Sequence, residues 1–119
     1  MTVTKLALPS IKASAAGRII NIGAGGAIKA DMGMAAYAAS KSGVHRLTEA
    51  LATELSDTNV TVNAILPSII DTPTNRADMP DANFANWVKP DAIAQVIAFL
   101  ASPAGGSISG ALLPVSRGG

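Results

Sequence analysis

Three observations predict an α/β fold built on an open parallel sheet with about three strands and three helices. Short runs rich in β-branched residues at 18–22 and 60–66 are bounded by glycine or proline, which is typical of buried parallel strands. A proline-free stretch beginning near Ala35 carries apolar side chains at helical spacing. Helices and strands alternate along the chain, and this alternation favours parallel pairing through helical crossovers.

The first half of the chain predicts a helix, a strand and a glycine-rich loop. Residues 2–16 favour a helix, which Gly17 ends, and 18–22 follow as the first strand. The loop from Gly23 onward does not fit the Gly-x-Gly-x-x-Gly phosphate turn, because Ile28 stands where the last glycine is required. A tight turn or a close backbone approach is the favoured interpretation.

The second half predicts a long helix over 35–56 and a strand over 60–66 that Pro67 ends. The connection 68–87 is rich in Pro, Asp, Asn and Thr, and long ordered connections are often lids or binding loops. A third helix begins near Pro90. The last strand covers 109–115, where Pro114 favours an edge position.

Composition narrows the function classes. The 119 residues suffice for one domain with a hydrophobic core, and only 14% of them are charged, against roughly 25% in an average soluble domain. So little charge suggests that part of the surface is covered by other protein. A net charge of +1 without a basic cluster gives no reason to expect nucleic acid, and no apolar run is long enough to predict a membrane span. Without cysteine there is no thiolate metal site, no metal is predicted, and we expect a cytoplasmic protein.

Tyr37 and Lys41 are the candidate catalytic residues. Four residues apart on a helix, they lie on the same face one turn from each other. A lysine charge beside a phenol favours the phenolate and lowers the pKa of the phenol, which suits a proton donor at neutral pH. From spacing alone, a half-exposed helix surface is the commoner explanation of such a pair.

Three segments together resemble the short-chain dehydrogenase/reductase family: Gly17–Gly23, Tyr37–Val44 and Val60–Pro67. They occur in that family's order and spacing. The resemblance covers residues 1–119 and implies the C-terminal half of a Rossmann-type, doubly wound parallel sheet. The family's N-terminal dinucleotide-binding half has no counterpart, so we expect a single partial domain.

A narrower resemblance, to the dihydropteridine reductase subfamily, rests on Ile70–Pro80 and Asn83–Trp87, with Gly33-Met34 and Val44-His45 in support. Members of that subfamily use NADH to reduce quinonoid dihydropterins. The resemblance therefore implies a nicotinamide cofactor, NADH or NADPH, and a small-molecule substrate.

The resemblance also implies roles for individual residues. Tyr37 would be the general acid, while Lys41 would lower its pKa and hold the nicotinamide ribose. The segment containing Pro67, Ile70 and Thr72 would contact the cofactor. The family's usual catalytic serine falls at Ala24, which cannot hydrogen-bond a substrate carbonyl; dihydropteridine reductase lacks the serine as well.

Other polar and aromatic residues have two interpretations each. His45 either faces the cofactor or, as is favoured, lies on the helix surface. Trp87 either lines the substrate pocket together with Ala24 or anchors the loop over the sheet. Asp71 is expected to cap the loop and Arg76 to pair with Asp78.

Two functional hypotheses follow. In the first, the intact protein is an NAD(P)H-dependent reductase. The cofactor gives hydride to a quinonoid dihydropterin, and Tyr37 gives the proton. The isolated chain would then be inactive, because the adenosine and pyrophosphate have no binding site. In the second, the chain is a truncated, non-catalytic folding unit that homodimerises through helix 35–56. In either case we expect a homodimer or homotetramer, as the family forms.

Overall fold

The structure, a computed structural model, describes residues 2–24 and 35–118; for residues 2 and 36–38 it describes the backbone alone. Two short 3-10 segments accompany the regular helices and strands. The regular elements are α1 (Thr2–Ala13), β1 (Arg18–Ile22), α2 (Ala35–Glu54), β2 (Thr61–Pro67), α3 (Pro73–Asp78), α4 (Pro90–Ala101) and β3 (Leu112–Val115).

The three strands form one parallel sheet in the order β1-β2-β3. Every residue of the central strand β2 is buried, as expected of a parallel strand covered on both faces. Pro114 lies on β3 opposite Leu66, and β3 is an edge strand among the described residues. An edge accepts a residue that has no N–H to donate. The predicted α/β parallel sheet is confirmed.

The main apolar core lies between the sheet and α2. It combines side chains from β1, β2, the residue before β2 and the second half of α2, with support from α1; its members are Ile19, Leu51, Ala52, Leu55, Val60 and Val62, with Leu8, Ile11 and Leu47 packed against them. A Cβ on Gly17 would lie 2.7 Å from the carbonyl oxygen of Ile11. Glycine is therefore needed where the chain leaves α1 and turns into β1.

The carboxyl end of helix α4 is hydrogen-bonded to the first residue of β1. The guanidinium of Arg18 donates from Nε to the carbonyl of Leu100 at 3.1 Å and from Nη2 to that of Ser102 at 3.4 Å. These carbonyls belong to the last turn of the helix, where a cation also complements the helix dipole. Leu100 is fully buried at this junction.

Several predicted boundaries need correction. Helix α1 ends at Ala13 rather than at residue 16, and α2 ends at Glu54 rather than at 56. The connection 68–87 is not a plain loop, because it contains α3 and a 3-10 turn over Phe84–Asn86. Thr72 is the N-cap of α3 and Pro73 is its first residue. A threonine cap followed by proline is a common start of a helix of any length.

Residues 25–34 of the predicted glycine-rich loop lie outside the described residues. Within the described part of the chain, no helix combines the length and the hydropathy needed to cross a bilayer. The same residues contain no cluster of three side chains suited to bind a metal ion.

Candidate active site at the carboxyl ends of the strands

Strands β1 and β2 end at the same edge of the sheet, because they are parallel and Ile22 pairs with Ile65. Ligands of open α/β sheets bind at this carboxyl edge. Among the described residues, the parts of the chain that meet the edge beside β1 and β2 include residues 23–24 after β1, the first turns of α2, and the segment 68–88 after β2. The candidate site is built from these parts.

Lys41 is anchored to the end of β1. Its Nζ donates a hydrogen bond to the carbonyl oxygen of Ile22 at 3.3 Å. Tyr37 lies one turn earlier, in the first turns of α2, where its backbone is helical and its side chain is outside the described part. The helical spacing of four residues places both positions on one side of α2, the side that Lys41 turns toward β1.

His45 holds the chain just beyond β1. The N–H of Gly23 continues the ladder to the carbonyl of Ile65 at 2.8 Å. The next N–H, that of Ala24, donates to His45 Nε2 at 3.3 Å. A Cβ on Gly23 would lie 2.3 Å from the same nitrogen. Glycine is therefore required at 23, which agrees with the predicted close backbone approach.

The imidazole of His45 is 2% exposed, so the favoured prediction of a helix-surface histidine is wrong. Burial lowers the pKa of His45 below its ordinary value of 6.5, and the neighbouring charge of Arg46 lowers it further. The carboxylate of Glu49 opposes both effects more weakly. The neutral imidazole that results has a free lone pair on Nε2, which the Ala24 N–H requires.

The segment 68–88 is closed at its base by backbone hydrogen bonds. Ile70 and Val88 form a parallel bridge. Asp71 N donates to Val88 O at 2.8 Å, and Val88 N donates to Ile69 O at 2.9 Å. These bonds hold the two ends of the segment together a few residues beyond the end of β2.

Asn75 links two of the predicted cofactor contacts. Its backbone N–H donates to Thr72 Oγ1 at 3.1 Å, which caps α3. Its side-chain Nδ2 donates to the carbonyl of Ile70 at 2.8 Å. Ile70 and Thr72 are thus held in a fixed relation to each other, half-buried, just past the buried Pro67.

Arg76 ties the start of the segment to its aromatic end. It binds both carboxylate oxygens of Asp71, at 2.6 and 2.8 Å, and this hydrogen bonding lowers the pKa of Asp71. The guanidinium also lies 4.5 Å from the ring centre of Phe84. The predicted pairing with Asp78 is wrong, because residues two apart on α3 do not face each other.

Trp87 is 6% exposed, and its ring lies 4.7 Å from that of Phe84. Its burial agrees with the interpretation of Trp87 as a loop anchor. Its role in a substrate pocket stays a prediction.

Comparison with known proteins identifies the family. The profile described as short chain dehydrogenase matches residues 1–83. The chain belongs to this family.

Individual relatives of the chain in this family are longer. An acetoacetyl-CoA reductase from Allochromatium vinosum is 39% identical over 110 residues, which cover 86% of the chain but 45% of the relative. A 3-ketoacyl-(acyl-carrier-protein) reductase from Brucella melitensis, solved with NADH, has 32% identity and a TM-score of 0.81, covering 98% of the chain and 50% of the other. An actinorhodin polyketide ketoreductase variant solved with NADPH has 29% identity and a TM-score of 0.78, with 94% and 49% covered. The chain thus spans about half the length of the relatives it matches.

The short-chain dehydrogenase fold brings the predicted site residues into two groups. Lys41 and Ala24 lie at the end of β1, and Pro67, Ile70 and Thr72 lie at the end of β2. The groups are adjacent because β1 and β2 pair directly. Trp87 immediately precedes Val88, which bridges Ile70, so it lies beside the second group.

Two supporting residues were missed or misjudged by sequence reasoning. Asn75 carries no catalytic signal in the sequence, but it stands three residues after Thr72, where the first turn of a capped helix places an N–H that donates to the threonine hydroxyl. The polar residues around His45 on the helix give no sign of its burial.

Proposed function

We propose that this chain contributes the proton donor and the nicotinamide-side wall of an NAD(P)H-dependent reductase. The observation that carries the proposal is the hydrogen bond of Lys41 to Ile22, which places an ammonium at the carboxyl edge one turn from Tyr37. The fixed segment around Thr72 lies at the neighbouring strand end. Family membership supports the same assignment.

The residues present fit the nicotinamide end of such a cofactor. Lys41 is half-buried and has three N–H donors, of which one binds Ile22 among the described residues and the others suit ribose hydroxyls. Pro67, Ile70 and Thr72 would form the wall beside the carboxamide. The bound cofactor, NADH or NADPH, supplies the hydride. Tyr37 gives the proton, and the charge on Lys41 lowers the pKa of the phenol and so eases that transfer.

For the substrate we favour a quinonoid dihydropterin. Ala24 replaces the hydroxyl that would polarise an ordinary ketone, and an acceptor that is easily reduced depends less on that group. The resemblance of segment 70–87 to dihydropteridine reductase points the same way. A 3-oxoacyl thioester is the second candidate, favoured by the relatives, which are named as acetoacetyl-CoA and 3-ketoacyl reductases.

The proposal is tested by measuring the oxidation of NADH and of NADPH by the protein that the full reading frame containing this chain encodes. Each cofactor is paired with a quinonoid dihydropterin or with acetoacetyl-CoA. We expect Tyr37→Phe to lower kcat by roughly 10²- to 10⁴-fold, the usual contribution of a general acid. Ser10→Ala is the control, since this exposed side chain lies on α1 and has no assigned role. A protein that binds neither cofactor by calorimetry would refute the proposal.

Ala24→Ser separates the two substrate classes. It restores a hydroxyl at the position of the family's usual serine, so turnover of acetoacetyl-CoA should rise while that of the dihydropterin changes little. A wild-type protein that prefers acetoacetyl-CoA would instead establish the second candidate.

For the assembly we propose a homodimer that packs through α2. Ala39, Ser40 and Gly43 are exposed on this helix, and among the described residues a Cβ on Gly43 would meet no atom within 4 Å. Such a bare flank allows close approach of a second helix. Light scattering should find a dimer or a larger assembly, which Gly43→Glu dissociates and Asn86→Glu, at an exposed site elsewhere, does not. A monomeric wild type would exclude this assembly.

A further inference from the structure

His45 is a buried, titratable side chain to which the reduction assigns no part. It is the single histidine of the chain and one of the most completely buried side chains described. It lies on α2 one turn beyond Lys41, and its Nε2 accepts the N–H of Ala24 at 3.3 Å. Ala24 is 7% exposed, so this bond is shielded from water.

The contact between imidazole and backbone is close enough to determine the path of the chain. Gly23 approaches His45 Nε2 so nearly that a Cβ there would be 2.3 Å from the nitrogen and 2.7 Å from Cδ2. Leu66 of β2 borders the same space. The peptide joining Gly23 to Ala24 therefore rests directly on the imidazole.

Both N–H groups after β1 have partners. Gly23 N donates to Ile65 O at 2.8 Å, and Ala24 N donates to His45. Ala24 has no side-chain donor either. Residue 24 consequently offers no hydrogen bond to a substrate oxygen, from side chain or from backbone.

We propose that His45 is a positioning residue, which fixes the Gly23–Ala24 peptide at the carboxyl end of β1 and withholds the Ala24 N–H from the substrate. The effect on substrate rests on the function proposed above; the hydrogen bond itself does not. His45 is not a catalytic residue, because it acts through the backbone of Ala24.

The role requires one protonation state. An N–H that donates to Nε2 leaves that nitrogen without a proton, so the neutral ring carries its hydrogen on Nδ1. Within the described part of the chain, the charged groups that act on the imidazole are on α2: Arg46 and Lys41 disfavour the imidazolium and Glu49 favours it. The described contacts from the end of β1 come from Gly23 and Ala24, which are uncharged.

Nitrogen NMR of the imidazole tests the hydrogen bond without any assay of activity. The protein is made without a histidine tag, and the signal of His45 is identified by its loss in His45→Gln. We expect the neutral tautomer protonated on Nδ1, with a coupling across the hydrogen bond to the Ala24 amide. A ring protonated on Nε2 at neutral pH would overturn the proposal.

Kinetics of two variants test the positioning. The side-chain amide of glutamine reaches about as far as Nε2 and can accept from Ala24, whereas that of asparagine reaches only as far as Nδ1. We expect His45→Gln to keep kcat within about twofold and His45→Asn to lower it roughly 10- to 100-fold, the usual effect of a small misplacement. The Kd of the cofactor should stay the same in both. Equal losses in the two variants, or none in either, would contradict the role.

The two proposals fail in distinguishable ways. If the protein is not a reductase, the wild type turns over neither substrate, yet His45 still shows the Nδ1–H tautomer. If His45 does not position Ala24, the wild type is active but the tautomer or the order of the two variants is wrong.

Discussion

The two strand ends that form the candidate site are held in different ways. The end of β1 is held from outside, by Lys41 and His45 reaching from α2 to Ile22 and Ala24. The segment after β2 is held mainly by its own residues, through Asn75 and the Arg76–Asp71 pair. Geometry at the first therefore depends on the packing of a distant helix, whereas geometry at the second is encoded within about twenty residues.

The largest effect is expected from Gly23→Ala, which attacks the support of β1. The new Cβ would meet a buried imidazole between two packed elements, so the free energy of unfolding should fall by about 3 kcal/mol, as overpacked cores do. Ser10→Ala is the control, because this side chain is exposed on α1 and has no assigned role. That change should leave the free energy of unfolding within about 0.5 kcal/mol of the wild type. Urea denaturation measures both.

A double substitution tests the cause of the Gly23→Ala effect. If the clash with His45 is responsible, His45→Ala should remove most of the added cost of Gly23→Ala, giving a large coupling between the two sites. Additive losses would show that another contact limits residue 23.

The elements that local sequence determines were predicted within a few residues. Strands β1 and β2 and helices α2 and α4 have apolar runs or periodicity ended by glycine or proline. α3 was missed because six residues give too little periodicity, and its Thr72-Pro73 start stands in a segment already rich in turn residues.

The support of β1 was less predictable than the site residues themselves. Tyr37 and Lys41 stand in a motif, but the contact of His45 depends on which face of α2 meets β1. That face carries Lys41, His45 and Thr48, polar residues that an apolar-stripe criterion assigns to solvent. Thr48 is fully buried nonetheless, accepting a hydrogen bond from Asn21 Nδ2 at 3.0 Å.

An intermediate effect is expected from Asn75→Ala, which attacks the support after β2. The carbonyl of Ile70 loses a half-buried hydrogen bond, worth about 1 kcal/mol. Because Ile70 and Thr72 are proposed cofactor contacts, the Kd of NAD(P)H should rise roughly fivefold, the same energy expressed as affinity. Thr74→Ala, at the exposed neighbour, should change neither. An unchanged Kd in Asn75→Ala would separate this hydrogen bond from cofactor binding.

A smaller effect is expected from Arg76→Lys. Lysine keeps the charge but cannot bind both oxygens of Asp71 or lie flat against Phe84. The Arg76 side chain is 51% exposed, so solvent screens the pair and Tm should fall only slightly. Differential scanning calorimetry measures the shift, and Arg46→Lys, at an exposed ion pair on α2, provides the comparison. A fall in Tm larger than that of Asn75→Ala would show that the ion pair is the main support of the segment.

The smallest expected effect is a difference in how the local stability of the two strand ends depends on pH. The pKa of His45 is lowered from its ordinary 6.5 by burial, so the unfolded state takes up the proton first as pH falls below 6.5. The contribution of neutral His45 to the free energy of unfolding is therefore complete above pH 6.5. It is lost as the pH falls toward the lower pKa that His45 has in the folded state. The pKa of Asp71 is lowered from 3.8 by its hydrogen bond to Arg76, so its contribution is complete above 3.8 and is lost only below that value.

Amide hydrogen exchange between pH 7 and pH 4, corrected for the intrinsic rate, should show Ala24 losing protection before Asp71 does. The two amides differ in the support behind them: Ala24 donates to the titrating imidazole and Asp71 to the carbonyl of Val88. In His45→Gln, which has no titrating group in this range, the early loss at Ala24 should disappear. Simultaneous loss at both amides would mean that the ends open together, and the two supports would not be independent.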